Sequence, residues 1–436
     1  MRSVGAAHCL QEAERLRAAL PGAGVSWLEH ARDAALARFA DSGFPTLRDE
    51  DWKYTNVAPI EASRFAFAPS GANEPGRAQI EGLLLPGAHA LVFVDGRLAP
   101  ALSRPGELPP GITLASVADA LRHDPERVQA LWSEDASSAF TALNQACAAD
   151  GAYVRLGAGV SLDAPIQLLF ITTQAGLATH CRSLVTTEEG ARARIVEQHV
   201  SWVDQPSLGN HVTRIEIGRG AEIEHHKLQH ESAAAFHIAT IEARLSERGG
   251  FSSSSFALGA ALSRADIRVA LDAEGASCTL DGLYIADGQR HVDHHTRIDH
   301  LKPQGSSREL YKGVLADTAR AVFNGRLVVH RDAQRSDAQQ SNRNLLLSEQ
   351  AEVDTQPQLE IYADDVQCGH GATVGQLDAD QIYYLRSRGV SEAAARAWLT
   401  YAFAAEMIER VRLAPLRAYL DTMLRARLPA MPEALQ

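Results

Sequence analysis

For about two hundred residues after Asp150-Gly151 the chain reads as short strands of alternating polarity divided by Gly, Asp and Ser turns. A loose repeat inside that stretch constrains the fold more than any single motif. When EEGARARIVEQ, GRGAEIEHHKL, ERGGFSSSSFA, AEGASCTLDGL, ADTARAVFNGR and SEQAEVDTQPQ are stacked, each offers a turn, then a small residue at 191, 221, 250, 276, 319 or 351, then an alternating strand. Successive intervals are 30, 29, 26, 43 and 32 residues. A period near thirty predicts a parallel β-solenoid with two or more strands per coil, because a small residue at one point per coil allows a tight corner and stacked coils bury a continuous core. A β-sandwich also alternates, but nothing in it sets such a period. The long interval spans HVDHHTRIDHLKPQGSS, residues 291 to 307, and predicts a local insertion there.

At 436 residues the chain exceeds what one globular core supports, so flanking domains are expected. Residues 8 to 40 carry apolar positions at helical spacing and read as two helices broken at Pro21-Gly22. FPTLRDEDWKYTNV, 44 to 57, reads as a helix start with aromatic anchors. HALVFVDGRL predicts a strand turning at Asp95-Gly96, and 115 to 147 is helical in pattern. From Ser391, a good N-cap, Trp398, Phe403, Met407, Ile408 and Val411 form an apolar stripe, followed by LRAYLDTMLRARL. The stripe reads as core or as a partner's groove, and the helices read as a cap for one open solenoid end. The expected division is a helical cap with a small mixed part over 1–150, a β-helix core over 151–365 and a C-terminal helical domain over 366–436.

The net charge is −12 with Lys and Arg scattered, which argues against nucleic acid as a partner. The apolar run IQLLFI, 167 to 172, is too short to cross a bilayer, and no membrane role is expected. The five cysteines are widely spaced with no CxxC pair, which predicts reduced thiols and a cytoplasmic protein.

Chemistry concentrates in LEIYADDVQCGHGATVGQLDADQIYYLRSRGV, 359 to 390. It starts as a strand and is read as passing through a Gly-rich turn that holds Cys368, Gly369 and His370. A thiol and an imidazole at i and i+2 would share one face of an extended strand about 6 to 7 Å apart, and Gly369 would permit a bend that draws them together. Two ligands fall short of the about four that an iron-sulfur cluster takes, so any cluster here needs ligands from another chain or from solvent thiols. The plain alternative is that both are simple turn residues. The run His291, Asp293, His294, His295 and His300 is a second metal candidate, and His294 could gather with His225, His226 and His230 from neighbouring coils. Alternation sends His294 and His295 to opposite faces, and a solvated or interface strand is the preferred reading. A nucleophile elbow, a P-loop, GxGxxG ahead of a helix and HExxH are all missing, so the chain reads as a scaffold and not as an enzyme.

Two stretches together point to a family. The pattern at 45 to 55, with Pro45, Arg48 and Glu50-Asp51-Trp52-Lys53-Tyr54-Thr55, and the block FNGRLVVHRDAQRSDAQQSNRNLLLSEQAEVDTQPQLEIYADDVQCGHGATVGQLDADQIYYLRSRGVS, 323 to 391, resemble the SufD family of scaffolds in the SUF machinery for iron-sulfur cluster assembly. The resemblance spans nearly the whole chain. It implies a right-handed parallel β-helix between helical domains, a heterodimer with a SufB-type scaffold through the β-helices, and a SufC-type ABC ATPase on the C-terminal helices. It also implies a transient cluster or iron shared with the partner chain. The proposed ligand of the family's Cys-x-His-Gly-Ala-Thr motif maps to His370, with Cys368 beside it. SufB-type chains carry a cysteine where this one has Leu385, and they lack the Cys-x-His motif. The isolated chain could pair with itself through an exposed edge.

Two other classes compete. A β-helix carbohydrate-active enzyme would need clustered carboxylates, whereas Asp364 and Asp365 are adjacent and would point apart on a strand. A metal-free interaction partner of a SufB-type scaffold fits the same sequence.

Overall fold

A computed structural model describes residues 3–67, 75–132 and 138–427. The alternating segments form two sheets that the chain visits in turn. The first sheet holds Leu177–Thr187, Leu208–Ile217, Phe236–Leu245, Leu262–Leu271, His291–His300, Arg320–Val329 and Glu352–Ile361. The second holds Ile166–Thr172, Arg192–Ser201, Glu222–Gln229, Gly250–Ala257, Ser277–Ala286, Ser306–Leu315, Ser336–Leu346 and Val366–Gly375. Each inner strand pairs in parallel with those one coil before and after it, and Glu352–Ile361 and Val366–Gly375 pair only with the strand before. The result is the β-solenoid that the period predicted, about eight turns long and flanked by helices at both ends of the chain.

The expected insertion at 291 to 307 does not exist. From Arg192 onward, strands of the second sheet start 27 to 30 residues apart throughout, and His291–His300 is an ordinary strand of the first sheet. The small residues at 191, 221, 250 and 276 mark entry to the second sheet, whereas 319 and 351 mark entry to the first. The 43-residue interval is a change of corner, not extra chain.

Alternation turns one row of each strand into the lumen. Ile195, Ile223, Phe251 and Leu280 from the second sheet meet Ile215, Ile241, Ile267 and Ile298 from the first. Farther along each coil the lumen becomes polar, with Glu197, His225, Lys227, Ser255, Glu309 and Asn342 all buried. Tyr284 and Tyr311 fit side by side because the ladder sets them opposite Gly313 and Gly282. A Cβ at Gly282 would lie 2.1 Å from the Tyr311 ring.

The N-terminal part starts both sheets. His89–Val94 pairs in parallel with Ile166–Thr172, and Ile112–Ser116 pairs antiparallel with Ala152–Leu156. The predicted Asp95-Gly96 turn has both residues at positive φ, 47° and 81°, which suits a tight hairpin. Helices Val4–Leu16 and Ser26–Ser42, split at the expected place, pack with Ala139–Cys147 against Leu208, Phe236 and Leu262 of the first sheet. Val117–His123 and Pro125–Leu131 supply more of the predicted helix, and 133–137 lie outside the described residues. Trp52 is the aromatic anchor anticipated, buried in the turn Glu50–Trp52 against Phe140.

Ser391 caps Glu392–Glu409 by accepting the Ala394 N–H at 3.3 Å. Met407, Ile408, Val411 and, from Ala414–Ala426, Leu416, Leu420 and Leu424 bury against Val196, Leu228, Phe256, Leu283 and Val314 on the outer side of the second sheet. The stripe is therefore core. These helices lie along the flank of the solenoid and do not cap its end, because the apolar row that receives them faces outward from the sheet. The solenoid itself continues to Gly375, past the expected boundary at 365, because Val366–Gly375 finds a full ladder partner in Ser336–Leu346.

Candidate functional site

The segment read as a Gly-rich turn is the last strand of the second sheet. Its glycines favour a turn locally, but the preceding coil pairs it residue by residue, Ala338 with Cys368, Gln339 with Gly369 and Gln340 with His370. Ladder hydrogen bonds hold it extended. Cys368 and His370 therefore share one face, as their spacing predicts, and no bend draws them together. That face continues the lumen row, since Ala338 and Gln340 beneath them are buried. Asp364 and Asp365 sit in the bend just before the strand.

Cys368 is half-buried and packs on a small cluster that includes Leu327, Val329, Ala333, Ala338 and Ala363. Burial, then the Asp337 carboxylate, pushes its thiol above the ordinary range, against a backbone hydrogen bond at Ala338. His370 is exposed. Beneath it Gln340 donates to Glu309 at 2.7 Å, and burial pushes the Glu309 carboxyl up to about 7. Among the described residues no further His, Cys, Asp or Glu joins Cys368 and His370 in a group of three able to hold a metal.

The surroundings are apolar and uncovered. Ile361, Tyr362, Val374, Tyr383 and Tyr384 are five of the eight exposed large apolar side chains among the described residues, and all belong to the last coil or to the following helix, Ala379–Ser387. That helix buries none of its side chains.

Of the solvated or interface strand expected of the histidine run, only the outward row fits, as an interface within the chain. His294 and His300 point into the lumen and are fully buried; His294 lies 3.3 Å from Ser255 and His300 lies 2.8 Å from Ser307. His291, Asp293 and His295 face outward beneath the N-terminal part. Thr55 donates to Asp293 at 2.5 Å and sits 2.9 Å from His291 Nε2, so the run docks the Trp-Lys-Tyr-Thr segment. Nor do His225, His226 and His230 gather with His294: His225 faces Ser253, His226 faces Glu224, and His230 faces Gln198 and Tyr419. The histidines that do converge are His199, His211 and His237, which sequence spacing gave no reason to group.

A broad groove lies elsewhere, on the outer face of the first sheet, among Arg214, Arg268, Arg297 and Arg326 with Glu216, Asp266 and Asp299. Its charges largely neutralise one another, as in the Arg214–Glu216 and Arg297–Asp299 pairs.

Two family models cover the chain. Residues 14–168 match the SufBD protein N-terminal region, and 170–403 match the SufBD core domain of SUF system FeS cluster assembly. The chain belongs to the SufBD family. The resemblance seen at 45 to 55 and 323 to 391 is borne out, and the family is the one that serves iron-sulfur cluster assembly in the SUF system. The SufBD relatives include the iron-sulfur cluster assembly protein SufD of Escherichia coli, 35% identical over 400 residues, covering 90% of this chain and 92% of that one. A SufBD family iron-sulfur cluster assembly protein of Synechocystis is 34% identical over 423 residues, covering 94% of this chain and 93% of its own. SufD of Bacillus subtilis is 25% identical over 413 residues, covering 92% and 93%. The Val366–Gly375 strand falls wholly within the matched SufBD core. No helix among the described residues is long and apolar enough to cross a membrane.

Proposed function

We propose that this chain is a non-catalytic scaffold of SUF iron-sulfur cluster assembly, which holds iron or a nascent cluster with His370 and Cys368 where its last coil meets a SufB-type partner, and passes the cluster on to apo-proteins. The observation that carries the reading is the pairing of an imidazole and a thiol in one row of a coil that none of the described residues covers. Iron is cargo here. Two donors hold it less firmly than four thiolates would, which suits release, and the partner chain completes the coordination. A raised Cys368 thiol becomes a ligand by giving up its proton as the metal binds. ATP hydrolysis belongs to a SufC-type ATPase engaging the C-terminal helices, and the reduced state of all five cysteines fits the cytosol.

A second reading, a metal-free structural partner of the SufB-type scaffold, draws on the packing of Cys368 into an apolar cluster. One experiment separates the two. The chain is co-expressed with SufB- and SufC-type partners and reconstituted without oxygen, and wild type is compared with His370→Ala by iron, sulfide and visible absorbance. Loss of cluster from an intact complex supports coordination by His370. An unchanged cluster favours the structural partner and removes the chemical role of the Cys-x-His strand.

A further inference from the structure

Three imidazoles converge inside the lumen near its other end. His199 comes from Arg192–Ser201 of the second sheet, while His211 and His237 come from Leu208–Ile217 and Phe236–Leu245 of the first. Their ring centroids are 4.4 Å (His199 to His211), 4.8 Å (His199 to His237) and 5.5 Å (His211 to His237) apart. One ring nitrogen from each lies within 4.8 Å of the other two, and all three residues are buried.

The nitrogens are poorly served by the protein. Both nitrogens of His199 and Nδ1 of His211 and of His237 have no hydrogen-bond partner among the described residues, although the Glu197 carboxylate stands 3.8 Å from His199 Nε2. Leaving one such group unpaired in a core is costly, and several in adjacent rings call for a common ligand. Ring stacking, as of His199 on Phe170, uses the faces and leaves the nitrogens unanswered. His237 Nδ1 lies 2.8 Å from the Glu231 carboxylate, within ion-pair range though without hydrogen-bond geometry, and a carboxylate beside one ring nitrogen favours metal on the other. That other nitrogen, Nε2, now meets the Lys227 ammonium group at 2.6 Å, so a cation already occupies the position. A water-sized space bordered by Phe170, Thr179, Cys181 and Glu231 adjoins His199 and His211.

We propose that His199, His211 and His237 form a three-imidazole site for a divalent transition-metal ion inside the solenoid, with a fourth position open to the adjoining space. Imidazole donors select zinc, iron(II) or cobalt(II) over magnesium or calcium. Metal-nitrogen bonds of about 2.0 to 2.1 Å need the nitrogens to close to about 3.3 Å, a matter of small ring rotations. Six coils at about 4.8 Å each set the site about 29 Å from the Cys368 and His370 strand, so it stands independently of the scaffold proposal.

The full chain is expressed in cobalt-supplemented medium, so that metal is present as the lumen closes, and is purified for metal analysis and visible spectroscopy. One equivalent of cobalt with tetrahedral d–d absorption is expected. It should be lost in His211→Ala and His237→Ala, retained in His370→Ala, and bound more tightly in Lys227→Met, which removes the competing charge. Because a core variant can fail to fold, wild-type crystals grown from zinc-supplemented cells provide the second measurement. An anomalous peak enclosed by the three rings supports the site. Absence of that peak, or cobalt lost with His370→Ala and kept in His211→Ala, overturns it.

Discussion

Arg264 lies over the indole of Trp52, its Cζ 3.8 Å from the ring centroid. The same guanidinium grips Asp266 with two nitrogens at 2.9 and 3.0 Å, reaches Asp293 at 2.8 Å, and donates to the Asp51 carbonyl at 2.6 Å. The N-terminal part is thus fastened to the side of the solenoid by one planar cation that stacks and pairs at once. Removing it leaves Asp293 buried without its counter-charge. Arg264→Met is expected to destabilise the protein by about 3–5 kcal/mol, and Arg264→Lys, which keeps the charge but not the fork, by less. Urea midpoints measure both.

Asp293 gives that latch a pH dependence. Burial would raise its carboxyl pKa, but Arg264, then His295, overcomes this and holds it well below the carboxylate range. A depressed folded pKa contributes stability that is complete above the unfolded value, about 3.9, and is lost as pH falls further. Asp293→Asn should lower stability at pH 7 and flatten the acid limb of a stability-versus-pH curve. An acid limb unchanged from wild type would remove Asp293 from the account.

Glu309 works in the opposite sense. Its carboxyl is raised from 4.5 to about 7 by burial, so the folded state binds the extra proton and stability declines as pH rises across that interval. Glu309→Gln is expected to be more stable than wild type at pH 8, by about 3 kcal/mol at most, with the gain vanishing by pH 5. Thermal melts at the two pH values decide it.

Lys312 tests the C-terminal docking. Its ammonium group, buried beneath Glu392–Glu409, donates to the Phe403 carbonyl at 3.0 Å and pairs with Glu406. Lys312→Ala should cost about 1–3 kcal/mol and expose the helices to limited proteolysis while the solenoid core stays protected.

Tyr383 and Tyr384 are exposed on a helix that buries nothing of its own. If the uncovered end receives a partner scaffold, Tyr383→Ser with Tyr384→Ser should leave the melting temperature unchanged and weaken co-purification with that partner.

Much of this architecture is legible in the sequence. Alternation and the period near thirty gave the solenoid, and Pro21-Gly22, Asp95-Gly96 and Ser391 marked real breaks, because those signals are local. What failed depended on pairing with distant chain. The stack of small residues slid from one corner at Ala276 to another at Ala319 because alanine serves both corners. The glycines flanking His370 suggested a turn, since a ladder partner some thirty residues earlier cannot be seen in a short window. His294 and His300 looked like solvated residues because a lumen that mixes polar and apolar rows hides its inside from a hydropathy pattern. His199, His211 and His237 come from both sheets and from different coils, so no linear spacing relates them. That Cys368 and His370 share a face is legible because their two-residue separation is itself the strand period.

The last coil has one neighbour where every inner coil has two. In a stack held by nearest-neighbour contacts, the end unit opens without disturbing the rest, much as the final page of a bound book turns most freely. The strand that carries Cys368 and His370 is therefore where the least work is needed to exchange contact with this chain for contact with another. Cargo held there, as proposed, would sit on the leaf that turns most freely.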